Sequence, residues 1–308
     1  THVYNDRANS DIFKYFDDAT YIFDATHNQL ALRAQLIFGI EGISSISGHQ
    51  TGVNFWDSDS EVFFNDNRTM IRMHLLLFHF SQGFYLLHLL FFAFLSFIGS
   101  FGLFKFFGHF SSLPSRLLLG ISFLPPSLLF WSSAPLKESY LLFSLGLLLM
   151  GVSNALKQCS LKSIFYIVLG IFFLLTIKLY VLFSILPALL LMLLLQSKVI
   201  RIKPILILAL ALIITTLTFQ DTVVDLLKNK QLNFKELAAK SQAKSSIPLA
   251  SFSNLQELIL IQPQAFFNVF IRPIWPTHRS LLTLIATLEH LFYLSILILP
   301  FLFKRKTT

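Results

Sequence analysis

Four carboxylates in fourteen residues, Asp11, Asp17, Asp18 and Asp24, recur among aromatic side chains in the stretch NSDIFKYFDDATYIFDA. Packing does not call for such a density of acid. On a helix Asp11 and Asp18 lie two turns apart on one face, and Asp17 sits about 100° from Asp18. Carboxylates so placed can hold Mg²⁺ or Mn²⁺ through oxygen ligands or take a proton as a general base. A solvated acidic face is the plainer alternative. A second acidic stretch, FWDSDSEVFFND with Asp57, Asp59, Glu61 and Asp66, reads as loop, because it lacks the glycine and terminal glutamate of a calcium-binding EF-hand loop.

A different chemistry is offered by ionisable groups set at the ends of apolar runs or inside them. FWSSAPLKES places Lys137 beside Glu138 between two such runs; NDNRTMIRMH places Arg68 and Arg72 just before another. Lys178 stands between two runs with almost no loop, Arg272 and His278 lie in FIRPIWPTHR, and Glu289 lies within the last run beside His290. Charges in such positions cost enough to mark candidate sites, and the cations suit an anionic headgroup such as a phosphate. Glu138 would occupy the first turn of a helix, where the dipole favours its charge. Lysines that snorkel and acids that cap are the alternative reading.

The elements that must carry these groups follow from composition. The 308-residue chain is 55% hydrophobic and 13% charged, with a mean hydropathy of +0.68, against about 25% charge in soluble domains. Continuous runs rich in Leu, Phe and Ile predict helices that cross a membrane rather than the alternating strands of a barrel. The expected fold is an all-α polytopic transmembrane bundle with seven spans, at 82–104, 117–133, 139–156, 163–177, 179–197, 204–219 and 281–303. The chain divides into an acidic segment (1–81), a block of spans (82–219), a polar or re-entrant segment (220–280), and a last span with a basic tail (281–308). Ten of the sixteen acidic residues fall in the first 70 positions, which read as polar and water-exposed. Pro125 and Pro126, and Pro187, fall inside expected spans and should kink or break them.

Orientation comes from the short loops. Lys105, Arg116, Lys157, Lys162, Lys198, Arg201, Lys203, Lys304, Arg305 and Lys306 occupy one set, and only Lys137 and Lys178 the other. The positive-inside bias puts the first set in the cytoplasm. The N-terminal segment, the Lys137 loop, the Lys178 turn and 220–280 then share the outer face. Seven spans with an outside start also imply a span preceding residue 1.

The net charge of +8 is scattered among these loops and does not form a nucleic-acid-binding patch, so no nucleic-acid partner is expected. One cysteine, Cys159, excludes a disulfide framework within the chain. No glycine-rich phosphate loop, zinc-ligand spacing or nucleophile elbow is found. Any chemistry would run on carboxylates and cations, with or without a metal.

Several stretches together resemble bacterial multi-pass enzymes of surface-polysaccharide assembly, in particular the C-type glycosyltransferases. They are DIFKYFDDA, FNDNRTMIRMHLLLFHFSQGFYLLHLLFF, LPPSLLFWSSAPLKES, and FIRPIW followed by a span containing LEH. The resemblance implies a glycosyltransferase or polymerase in the cytoplasmic (inner) membrane of a bacterium. It would use a polyprenyl-phosphate-linked sugar at the outer face, with membrane lipid and the lipid-linked sugar as partners. An outer aspartate would act as base or as ligand to Mg²⁺ or Mn²⁺, a role that falls on Asp17 or Asp18, with Asp11 next. Arg68, Arg72, Lys137, Glu138, Lys178, Arg272, His278 and Glu289 would face the lipid phosphate or substrate. The sequence departs from that family in lacking the span before the aspartate loop and the compact Asp-Glu pair. A transporter or flippase of lipid-linked oligosaccharide, or a non-catalytic membrane scaffold, are the competing readings; the paired broken helices of a transporter are not found as an internal repeat.

Overall fold

A computed structural model describes residues 11–46, 53–56, 65–196, 251–270 and 281–302, with scattered positions between 218 and 235. Every regular element among them is helical. The chain forms two compact units that divide between Pro187 and Ala188.

In the first unit, α1 (Asp11–Ala25) and α2 (Leu30–Ile37) form a short hairpin. Buried Arg33 fastens it. Its Nε donates to Thr26 Oγ1 at 3.0 Å, and one terminal nitrogen donates to the carbonyls of Phe23 and Thr26 at 3.0 and 2.8 Å. The last carbonyls of α1, which lack helical partners, are thereby satisfied by a cation suited to the negative end of the dipole. Helix α3 (Asp66–Ser81) starts at Asn65, whose side chain accepts from the amides of Asn67 and Arg68. It ends at Gln82, in the left-handed region at φ 50°, followed by Gly83 at φ 84°. Two consecutive left-handed residues turn the chain sharply into α4 (Tyr85–Phe110).

Helices α1 to α3 bury Tyr15, Phe16, Ile22, Leu36, Ile43, Trp56, Met70, Ile71 and Leu75 in one core. The expected polar, water-exposed segment is thus a folded head. Its acidic surface hides apolar residues that are spaced for helices but separated by loops.

Two short helices, α5 (Ser115–Phe123) and α6 (Pro126–Ser132), follow α4. The single span expected over 117–133 is broken at Leu124–Pro125. Pro126 cannot donate a helical hydrogen bond and instead begins a new helix, where its missing N–H costs nothing. Helix α7 (Lys137–Lys157), α8 (Leu161–Ile177) and α9 (Leu179–Gln196) complete the series. Pro187 lies inside α9, which continues through it.

The helical layer packs through glycine. A methyl group on Gly102 would collide with the backbone of Gly146, and one on Gly99 with the carbonyl of Leu142, so α4 and α7 run side by side in the same direction. Likewise a Cβ on Gly170 would lie 2.6 Å from Leu148 N, and one on Gly151 2.8 Å from Ile167 N, which sets α8 antiparallel to α7. Such backbone-to-backbone approach through small residues is how helices associate where lipid removes the hydrophobic drive. Ser96 Oγ donates to the Ser132 carbonyl and ties α4 to the end of α6. One end of the layer gathers Lys137 and Lys178; the other gathers Lys157 and Lys162.

Among the described residues α4 and α7 are long and apolar enough to cross a membrane, and Leu161–Ile177, Leu179–Met192 and Leu284–Ser295 are shorter apolar helices. Of the seven expected spans, two are therefore matched among the described residues by helices of membrane-crossing length and hydropathy. The span expected at 204–219 lies outside the described residues apart from Thr218. In the second unit, α10 (Leu255–Leu260), α11 (Gln262–Phe270) and α12 (Leu281–Leu302) are described, the last matching the expected 281–303.

Candidate functional site

At the end of the layer nearest the head, charges from three elements meet beside Tyr15 of a fourth. Lys137 Nζ, at the start of α7, donates to Asp66 Oδ2 at 2.6 Å, at the start of α3 and 71 positions away in sequence. Its neighbour Glu138 accepts from Lys178 Nζ at 3.1 Å, at the end of α8. Tyr15 of α1 donates to Asn67 Oδ1 at 3.2 Å, and the Lys137 ammonium lies 5.9 Å from the centre of the Tyr15 ring. Thr69 Oγ1 donates to the Thr176 carbonyl at 2.7 Å, locking α3 onto the end of α8.

The two lysine side chains are 19% and 16% exposed, but their carboxylate partners Asp66 and Glu138 are 41% and 40% exposed. The cations are therefore held from below while the acids remain reachable. Burial and the surrounding acids Asp11, Asp66, Glu138 and Asp18 push the Tyr15 hydroxyl well above its ordinary range, so it stays protonated as a donor. Burial lowers the Lys178 ammonium, but the charge and hydrogen bond of Glu138, with Tyr180, outweigh it, so that its pKa is raised and it stays charged.

The expected aspartates separate. Asp11, exposed at the first turn of α1, lies close enough to Tyr15 to act on its ionisation. Asp18 is fully buried and serves the head: Oδ1 accepts from Asn54 N and Nδ2 at 2.7 Å each, and Oδ2 accepts from Phe55 N at 2.8 Å. Burial nevertheless raises its pKa, outweighing those hydrogen bonds. Asp17 is half-buried and on a different face. Both Asp18 oxygens are thus engaged in the loop.

Arg68 and Arg72 are buried against Trp56, their guanidinium carbons 5.8 and 5.2 Å from its ring centre. Arg72 Nε also donates to the Leu36 carbonyl at 3.2 Å. Burial and neighbouring Arg68 lower the Arg72 pKa to about 10. In the second unit Glu289 is buried on α12 and accepts from Tyr293 at 3.0 Å, one turn along. Arg272 and His278 lie outside the described residues. A cavity in that unit is lined by Asp221, Asp225, Ser253 and Asn254.

Two features escape a reading of the sequence. Asp66 reads as part of an acidic loop, although the Asn65 cap before it signals a helix start. His74 and His88 sit inside apolar runs as single polar letters. They are wholly buried, with their Nδ1 atoms 2.7 Å apart, and His88 Nε2 lies 2.6 Å from Ser81 Oγ. Phe16, Phe78 and Phe92 surround them with ring centres 5.0–5.9 Å away.

No family model, curated protein or solved structure matches the chain.

Proposed function

We propose that this chain is a multi-pass membrane glycosyltransferase that moves a sugar from a polyprenyl-phosphate-linked donor at the outer face of the bacterial cytoplasmic membrane. The observation that carries the reading is the convergence of Lys137–Asp66 and Lys178–Glu138 beside Asp11 and Tyr15. Two partly buried cations suited to a phosphate stand next to more exposed carboxylates, at the end of apolar helices. In the step proposed, an acceptor hydroxyl oxygen bonds to the anomeric carbon as the bond from that carbon to the phosphate oxygen breaks. The hydroxyl proton passes to a carboxylate, and polyprenyl phosphate leaves with its electron pair, its charge met by Lys137 and Lys178. Asp66 and Asp11 are the reachable acids of this cluster; Asp17 stands apart from it, and Asp18 holds the head together. The polytopic bundle, the outward placement of this end and the lipid partners belong to the same proposal and are supported by the basic loops gathered at the far end.

The test uses the full chain in proteoliposomes with polyprenyl phosphate as probe. Lys137→Ala and Lys178→Ala are expected to weaken its binding at least about tenfold, a loss of about 1.4 kcal/mol, while Lys157→Ala at the far end leaves it unchanged. With a panel of polyprenyl-phosphate sugars, Asp66→Asn or Asp11→Asn should lower transfer by about 10²–10⁴, as loss of a general base does. Equal binding in all three lysine variants overturns the site. Intact binding with labelled sugar crossing the bilayer and no transfer moves the chain to the transporter reading.

A further inference from the structure

The register of α4 against α7 carries an inference that rests on the membrane reading above and goes beyond it. With Gly102 opposite Gly146, Lys137 is level with Ala93, and Tyr85–Phe92 rises about 12 Å past the start of α7 at 1.5 Å per residue. One side of this extension is covered by the head. Tyr85 packs on Phe13 and Phe16, His88 on Phe16 and Phe78, and Phe92 on His74. The other side is bare and apolar: Leu86 is 75% exposed and Leu90 64%.

Leu86, Leu90, Phe94 and Phe97 follow one another at helical spacing, so this bare side continues without a polar break into the exposed face of the span itself. Phe80 and Phe84, 79% and 67% exposed, extend it around the Gln82–Gly83 turn onto the end of α3. A monomer in water does not display so long an apolar strip without a partner. We propose that the α3–α4 corner is a membrane-docking face, its bare strip seated in the outer leaflet while the head, packed on the opposite side of the same turns, sits at the same depth and covers the Lys137–Asp66 and Lys178–Glu138 pairs from the lipid. A lipid surface is the occupant because the strip is one piece with the face α4 turns to lipid.

Nitroxide labels at Leu86→Cys, Leu90→Cys, Phe97→Cys and Gln35→Cys, each in the full chain with Cys159→Ser and reconstituted in phosphatidylglycerol-containing liposomes, test this by collision with oxygen and with a water-soluble nickel chelate. Labels at 86 and 90 are expected to favour oxygen as the label at 97 does, while the label at 35, exposed on α2, favours nickel. Nickel access at 86 and 90 with oxygen preference at 97 overturns the docking face and leaves the span intact. Nickel access at 97 as well removes the membrane reading itself. Spin–spin broadening at 86 identifies a second copy of the chain as the occupant and overturns the lipid assignment.

Discussion

The head of the first unit is cemented by rings, whereas its helical layer adds close backbone approach to a few ring contacts such as Tyr140 and Phe143 on Phe173. In the layer, α4, α7 and α8 approach until backbone meets backbone at Gly99, Gly102, Gly146, Gly151 and Gly170. In the head the contacts are made by rings: Phe16 against Phe78 at 5.1 Å, Phe23 against Phe78 at 5.1 Å, and Phe16 edge-on to Tyr85 at 5.2 Å. Burying rings is rewarded where the alternative is water. On the proposed membrane reading the layer lies between lipid tails, where that reward vanishes and close fit and dispersion hold the helices. The boundary between the two modes falls within α4, whose first two turns meet rings and whose middle meets glycine.

The difference can be broken at its strongest point first. Phe16→Ala removes a buried ring from the centre of the head and should cost about 3–5 kcal/mol, read as loss of head protection in hydrogen exchange while α7 and α8 stay protected. Gly102→Ala places a methyl group where the Gly146 backbone already stands. It should cost about 1–3 kcal/mol as overpacking, with the loss confined to the layer and seen as a lower melting temperature in bilayers. An equal loss of protection in both regions from either variant would show that they unfold as one.

Asp18 sharpens the same boundary by pH. Its pKa is raised in the folded head, so folded chain holds the proton at pH values where unfolded chain has released it. Head stability should therefore fall as pH rises from about 3.9, the ordinary aspartate value, through the raised value, with a slope of at most about 1.4 kcal/mol per pH unit from this one group. Asp18→Asn should remove that slope and leave the layer untouched. A slope that survives the substitution would assign it to another group. The smallest effect is expected at Gly120→Ala in α5, where an added methyl group meets nothing within 4 Å. It should stabilise by about 0.5–1 kcal/mol through helix propensity alone.

The layer was the more legible of the two regions. Unbroken apolar runs place α4, α7, α8 and α9 within a few residues, and Pro125–Pro126 marks the break between α5 and α6, because lipid-length helices and proline both write their signal locally. The head hides its plan in long-range contacts. Nothing near Asp18 announces that its oxygens hold Asn54 and Phe55, and nothing near Lys137 announces Asp66. Of the candidate site, Lys137, Glu138 and Lys178 could be found because a charge beside an apolar run stands out, whereas Asp66 was masked by three other acids around it. The same-direction pairing of α4 and α7 depends on α5 and α6 together returning the chain, which spacing alone does not fix.

The 2.7 Å between His74 Nδ1 and His88 Nδ1 leaves room for one proton and no more. If His74 supplies it, His88 accepts there and must carry its own hydrogen on Nε2, donating to Ser81 Oγ. His74 Nε2, which has no partner, is then a bare lone pair. In the opposite arrangement His88 gives the proton, Ser81 turns its hydroxyl to donate, and His74 Nε2 becomes an N–H pointing at nothing. Buried orphan donors are rarer than under-used acceptors, which selects the first arrangement. The rings thus form a short tautomeric chain with a resting sense, from His74 through His88 to Ser81, and nitrogen chemical shifts of the two imidazoles would read its direction.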